Sequence, residues 1–349
     1  SYKEAGGVYL SNNMQGGYTY LKPYDNRVIN ITIINCTVTA KGTENNDGGG
    51  GIEIRECTNV YVYNLTVINC SANQGGGLSI SGEKVSGLYM YSCTFINNTA
   101  TTSIGTGSSG NGGNIWAAPA KTGSTLRLYD STIIGGVAEN LGGGIYTNCF
   151  VYKNLTFINN TARLGGGLYW IENSKTIENM KFINNTATEA GGALYLPYKA
   201  TVKNNVFIGN KALNGTGGAI HANADGITIS SNDFTNNSAY YGGAIYAALN
   251  VTGVNSITIS SNNVFTNNSA YYGGAIYLPK SSGKSVSISE LSFNGNNAFL
   301  DGGAIYVASC NSKASLNTIS NCHFDNNTAD RYGGAIYIEG KDTVIQNSS

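Results

Sequence analysis

The sequence predicts an all-β fold, a coil of stacked parallel strands, and three observations predict it. A block of two small residues, a third Gly or Ala and then an aliphatic residue recurs twelve times, from "AGGVYL" at Ala5 to the copy at Gly333. A second apolar block, most often with a Phe and an Asn three residues after it, precedes the first in every full repeat. No stretch carries the periodicity of an amphipathic helix. Repeats that bury their apolar face only against neighbouring repeats build a solenoid. The expectation is one domain over residues 1–349, a single right-handed parallel β-helix of about eleven to twelve rungs with Asn and Gly corners and an incomplete rung at each end.

The elements follow from columns of residues. The fourth position of the Gly block is always aliphatic, as in Val8, Ile52, Leu78, Ile220 and Ile336, and two residues later Leu10, Ile54, Trp170 and Leu196 are apolar again. Alternation of period two marks a strand with one face in the core. Between these inward positions runs an outward column of Tyr9, Trp116, Tyr146, Tyr169, Tyr195, Tyr246, Tyr277, Tyr306 and Tyr337, replaced in other turns by Glu53, Ser79 or His221. The second strand aligns Phe95, Phe157, Phe182, Phe207, Phe234, Phe265, Phe293 and Phe324. The Asn three residues after each Phe suits a corner, because Asn tolerates the left-handed conformation and its amide can donate and accept along a stack. Gly tolerates the same conformation at the next corner. Two long corners, from Thr37 and from Thr99, are expected to protrude on one side, with Ile104 to Gly110 dispensable for folding.

Composition excludes several function classes. Twenty basic residues balance twenty acidic ones and only 11% of the chain is charged, which removes electrostatic attraction to nucleic acid or an anionic membrane. No apolar run is long enough to span a bilayer, and no basic and apolar leader opens the sequence, so Ser1 reads as the start of a processed or trimmed chain. Abundant Gly with only 4 Pro excludes collagen. No cofactor or metal is expected: His221 and His323 fall on different strands, and no His pair has ligand spacing. Carbohydrate cleavage needs paired carboxylates. Glu44 and Asp47 in one loop, Glu53, Glu56, Asp301 and Asp330 have no acidic counterpart in the matching column of the next turn and read as solvated corner charges.

Seven Cys are present, and Cys36 and Cys70 replace the corner Asn in successive turns, where stacked Cα atoms lie within disulfide range. Buried thiols acting as small apolar residues are the alternative. Fourteen Asn-x-Ser/Thr sequons occur, most of them produced by the corner pattern itself. Glycans there would be blocked by a packed Asn stack, which leaves Asn214 and Asn250 as the better acceptors. The Tyr column is read three ways: as a ladder stabilised by its own stacking, as a contact face for a neighbouring fibre, or as a platform for cell-surface glycans.

The two ends read as parts of one rung. "TVIQNSS" followed by "SYKEAGGVYL" aligns with "KFINNTATEAGGALYL", placing Val344 in the Phe182 column, Asn347 at the Asn185 corner and Ala5 to Leu10 over Gly191 to Leu196. This predicts a head-to-tail homopolymer joined through Tyr2, Ala5, Gly6, Val8, Tyr9, Leu10, Val344, Ile345, Gln346 and Asn347, by strand addition between copies.

The pairing of "GGAI" with "FxxN" resembles the repeat of chlamydial polymorphic outer membrane proteins. The fuller "FINNTA…GGAIY" form is similar to adhesin-like, right-handed parallel β-helix surface proteins of methanogenic archaea. The resemblance covers nearly the whole chain. It implies an extracellular or cell-surface location, a secreted protein, and a role in adhesion or envelope architecture. Two alternatives stay open: a monomeric ectodomain fragment of a larger adhesin that binds carbohydrate or a partner surface, and a polysaccharide lyase or hydrolase of the pectate-lyase-like fold.

Overall fold

The computed structural model describes residues 6–11, 26–38, 48–55, 57–82, 85–102, 109–118, 126–148, 150–248, 257–280, 285–308, 316–340 and 343–349. Every regular element among them is a β-strand, and the strands pair in parallel from turn to turn, so the chain is a β-solenoid. Each turn has four sides, for example Ile245–Ala247 in the Gly block, Ile257–Ser260, Val264–Thr266 in the Phe block and Ser269–Tyr272. The sequence made two of these sides visible. The return strand falls in a stretch of variable length, and the strand before the Gly block can be as short as Lys211–Ala212, so neither forms a column that letters alone reveal.

Contacts divide the chain into two compact units, Ser1–Tyr169 and Trp170–Ser349. Complete four-strand turns begin at Ile52, Leu78, Ile115 and Ile145 in the first, and at Leu194, Ile220, Ile245, Ile276 and Ile305 in the second. That makes about nine, fewer than the eleven to twelve expected, because some Gly blocks open turns with a described side missing or divided between the units.

Inward side chains fill the coil. In the second unit Phe182, Phe207, Phe234, Phe265, Phe293 and Phe324 stack face to face with centroids 4.8–4.9 Å apart. Val202, Ile229, Ile259 and Ile288 form a second buried row from the return strands. Each such side chain contributes roughly 1.5–3 kcal/mol through burial. In the first unit the Phe column alternates with smaller residues, Val67, Phe95, Ile133 and Phe157, all fully buried.

The Gly pair has two separate causes. Gly242 holds a left-handed φ of 67°, which Gly adopts without a Cβ clash. Gly243 lies against the next turn, where a Cβ would sit 2.1 Å from the carbonyl oxygen of Gly274. Steric approach, rather than backbone conformation, excludes any side chain at the second position.

The Asn corner also divides its work between two adjacent residues. Asn184, Asn236 and Asn267 take the left-handed conformation, with φ between 53° and 57°, and are solvent-exposed. The following residues, Asn185, Asn237 and Asn268, are fully buried. Their amides form a ladder in which Nδ2 donates to the next Oδ1: Asn185 to Asn210 at 3.0 Å, Asn210 to Asn237 at 2.9 Å, Asn237 to Asn268 at 3.0 Å and Asn268 to Asn296 at 3.0 Å. The Nδ2 groups of Asn210, Asn237, Asn268 and Asn296 also donate back to a Phe carbonyl, as Asn237 does to Phe207 at 3.0 Å. The expectation assigned both tasks to one Asn. A side chain facing solvent cannot also satisfy buried backbone groups, so two residues are needed. A second buried ladder, Asn205 to Asn232 to Asn263, lines the preceding corner.

Candidate functional site

The aromatic column runs unbroken from Trp116 to Tyr169 in the first unit and from Tyr195 to Tyr337 in the second, while Glu53 and Ser79 separate Tyr9 from Trp116. Centroid separations are 6.5 Å for Trp116–Tyr146 and 5.6 Å for Tyr146–Tyr169 in the first unit. In the second they are 4.8 Å for Tyr195–His221, 5.0 Å for His221–Tyr246, 5.5 Å for Tyr246–Tyr277, 4.9 Å for Tyr277–Tyr306 and 5.1 Å for Tyr306–Tyr337. Most of these rings are stacked nearly parallel, so each face is covered by its neighbour. A sugar stacks on the face of an aromatic ring. A column whose faces are already occupied offers only its edges.

The column is also less open than an outward position implies. Tyr241 lies 4.9 Å from Tyr277, and Tyr272 meets Tyr306 edge-on at 5.4 Å, both from the strand that precedes the Gly block. Tyr306 is only 7% exposed and His221 9%. Burial raises the phenol pKa values of Tyr246 and Tyr277 and pushes that of Tyr306 up to about 12, with Glu339 adding to the last, so these hydroxyls stay protonated. His221 bonds through Nδ1 to Thr216 Oγ1 at 2.7 Å, and burial brings its pKa down to about 4.

A second ladder, not visible as a column in the sequence reading, is the more exposed one. The residue after the Ala of the short strand is Leu213, Tyr240, Tyr271 and Phe299 in successive turns, that Ala being buried in all but Ala239. Leu213 is 57% exposed, Tyr271 46% and Phe299 51%. Tyr240 stacks on Tyr271 at 4.6 Å, and Tyr271 meets Phe299 at 5.4 Å. Thr188 precedes this apolar run and Asp330 follows it, both exposed. The signal lay in "KALN", "SAYY", "SAYY" and "NAFL". In the first unit the return strands carry a different outward group, with Tyr61 stacked on Tyr89 at 5.0 Å and the Arg127 guanidinium 4.7 Å over the Tyr89 ring.

Two acidic residues expected in solvent are buried. Glu53 accepts a hydrogen bond from Ser81 Oγ at 2.6 Å, and Asp301 accepts from Arg331 Nε at 2.9 Å and also from Nη2. Each is held by a partner one turn on, which offsets the cost of burying its charge. Among the described residues no three of His, Cys, Asp and Glu gather as a metal-binding group. Glu44, Asp47, Glu56, Cys149, Cys310, Asn250, Tyr2, Ala5, the Tyr9 side chain and most of Ile104 to Gly110 lie outside the described residues.

Cys36, Cys57, Cys70, Cys93 and Cys322 are free thiols. Cys36 and Cys70 do occupy the ladder position in successive turns, and the Cys36 N–H donates to Cys70 Sγ at 3.4 Å, the thiol standing where an Asn Oδ1 stands elsewhere. Burial raises the pKa of Cys70 and Cys322 and pushes Cys93 up to about 11, which keeps them unreactive. Asn214 is exposed.

The register read for the carboxyl-terminal segment is corrected. Val344 stands opposite Thr318 and Ile345 opposite Ile319, so Val344 belongs to the Thr176 column, not that of Phe182. Asn347, with φ of 49°, takes the corner of Asn179 rather than Asn185. Each turn has two Asn corners a few residues apart, each preceded by an apolar residue, and "IEN" and "FINN" look alike in letters. The alignment of the two ends as halves of one rung rested on the other corner. Gly6, Val8 and Leu10 do follow the Gly-block pattern: Gly6 N–H donates to Gly49 O at 3.3 Å, while Val8 pairs with Ile52 and Leu10 with Ile54.

Comparison with known families reaches the second unit only. Residues 179–197, 233–248, 264–279 and 321–339 match the Chlamydia polymorphic membrane protein repeat. The four segments make up about a fifth of the chain. Each runs from the Phe strand or the corner before it, through the ladder Asn, to the Gly-block strand. The Chlamydia repeat therefore coincides with the parts whose geometry is most constrained here, and two of the segments contain Tyr240 and Tyr271 of the exposed ladder. No curated protein and no solved structure matches the chain.

Proposed function

We propose that this chain is a surface-exposed, adhesin-like β-helical protein that works outside the cell by contact rather than by catalysis. The observation that carries the reading is the aromatic row of Tyr240, Tyr271 and Phe299, half-buried at Tyr240 and exposed at the other two, with the exposed Leu213 in the turn before it, set on a coil that contains polymorphic membrane protein repeats. Large apolar side chains gathered in one exposed row mark an interaction site. Stacking leaves ring edges outward, which suits the apolar side chains of a partner protein better than the faces of sugars. The buried carboxylates, Glu53 and Asp301, are held by Ser81 and Arg331, an arrangement that supports a structural role for them.

The test is binding of the purified chain to intact partner cells, beside a variant carrying Leu213→Ser, Tyr271→Ser and Phe299→Ser. All three side chains face solvent, so the variant folds. Loss of at least tenfold in cell binding supports the reading. Unchanged binding, or reproducible cleavage of a polysaccharide by the unaltered chain, overturns it.

A further inference from the structure

We infer that the exposed corner Asn residues after the Phe strands are acceptors of N-linked oligosaccharide, a modification that goes beyond the contact role. In "NNT" and "NNS" the sequon acceptor is the first Asn and the ladder residue is the second. The packed ladder therefore does not block the acceptor. Asn35, Asn69, Asn97, Asn159, Asn184, Asn236, Asn267 and Asn326 all have left-handed φ and are all exposed.

A link between two positions separates modification from mere corner geometry. All eight of these Asn are followed two residues later by Ser or Thr. Three turns carry Gly at the same corner, at Gly135, Gly209 and Gly295, and there the second residue on is Val137, Lys211 or Asn297. The strand position thus accepts apolar, charged or amide side chains, yet it holds a hydroxyl wherever the corner is Asn. The other left-handed corner of the same coil is an internal control. There Asn30, Asn64, Asn154 and Asn347 are followed by Thr32, Thr66, Thr156 and Ser349, but Asn179, Asn204, Asn262 and Asn321 are followed by Lys181, Val206, Val264 and His323, while Ser92 and Asp130 are followed by Thr94 and Thr132. Backbone geometry alone does not couple the two positions.

The hydroxyls have no common structural partner in the corner Asn. Thr37 Oγ1 shares a hydrogen bond with Ser71 Oγ at 3.0 Å, and Thr328 Oγ1 donates to Asn297 Oδ1 at 2.7 Å, both across to the matching strand position of the neighbouring turn. At Asn214 the reverse holds: its sequon hydroxyl, Thr216 Oγ1, is engaged with His221 and has a structural reason to be there. The donor implied is a lipid-phosphate-linked oligosaccharide. The Asn amide nitrogen forms a bond to the anomeric carbon, the bond from that carbon to the lipid phosphate oxygen breaks, and the amide proton is lost to the departing phosphate or to solvent. Neighbouring turns lie about 4.8 Å apart, closer than two sugar rings side by side allow, so adjacent acceptors such as Asn236 and Asn267 are not both filled on one molecule.

The experiment is peptide mapping by mass spectrometry of the full chain isolated from its native cells, beside a Thr186→Val variant expressed in them. Glycan on the eight corner peptides, absence from Asn179, Asn204 and Asn321, and loss at Asn184 alone in the variant are expected. Val137 occupies the equivalent strand position, so the variant keeps its fold. Unmodified corner peptides, or glycan confined to Asn214, overturn the inference. Protease accessibility on the same intact cells is scored independently, so an exposed but unmodified chain rejects the glycans without rejecting the surface location.

Discussion

Asn114 donates from Nδ2 to Asn160 Oδ1 at 3.1 Å, filling a place in the buried amide ladder that Gly136 leaves without a side chain. Gly136 stands at the ladder position of its turn, and a Cβ there would come within 2.3 Å of Gly143 O and 2.4 Å of Asn114 Nδ2. Asn114 itself comes from a Gly block, "GGNI", where other turns carry Gly or Ala. It also accepts from Asn98 Nδ2 at 2.8 Å, so the ladder passes unbroken through a turn that lacks its own Asn. Asn114→Ala should destabilise the first unit by about 3 kcal/mol, since it orphans buried groups above and below. Gly136→Asn alone should also destabilise, by overlap. The double variant Asn114→Ala/Gly136→Asn relieves only the overlap with Asn114, since a Cβ at Gly136 still meets Gly143 O at 2.3 Å, and should stay destabilised, measured by denaturant unfolding.

The division of work at the Asn corner makes a contrast between neighbours. Asn237→Ala removes a buried amide that serves Asn210, Phe207 and Asn268, and should cost about 3 kcal/mol. Asn236→Gly, one residue earlier, keeps the left-handed conformation that Gly209 adopts in the turn before, and should change stability by about 0.5 kcal/mol or less. Equal effects in urea unfolding would show that the two positions do not divide the task.

Phe234 lies between Phe207 and Phe265 with centroids 4.9 and 4.8 Å away. Phe234→Ala should cost about 3–5 kcal/mol, the range for a cavity in a packed aromatic core. Phe299→Ser, on the exposed ladder, should leave the unfolding midpoint nearly unchanged. The pair separates core from contact surface by one calorimetric comparison.

His221 predicts a pH dependence with a definite sign. Its pKa is about 4 in the fold against 6.5 when unfolded, so between these values the unfolded chain binds a proton that the fold does not. The stability it contributes is fully present above pH 6.5 and is lost as pH falls toward 4, by up to about 3 kcal/mol. His221→Tyr, the residue most other turns carry in that column, should flatten this slope. The measurement is the difference in unfolding free energy between the two proteins from pH 7 to pH 4.

Much of the fold was legible in the letters, because inward columns of a solenoid must repeat. Phe182 through Phe324 and the Gly pairs showed themselves as recurrences with fixed order. Properties that depend on which of two similar neighbours faces the core did not. Asn236 and Asn237 are the same residue type with opposite burial, and "IEN" and "FINN" corners cannot be told apart without strand pairing, so letters alone place Val344 in the Phe182 column. The Tyr column is legible as a column, but how far its rings are covered is not. Tyr241 and Tyr272, which cover it, come from the strand before the Gly block, whose length varies from turn to turn. The exposed ladder was missed because Leu213, Tyr240, Tyr271 and Phe299 share size and polarity rather than identity.

The central claim is that this coil works on the outside of the cell. Brief protease treatment of intact native cells, followed by mass spectrometry of the released peptides, tests it most directly. The account predicts that peptides from both units appear in the released fraction before lysis. Peptides that appear only after the cells are broken would contradict it.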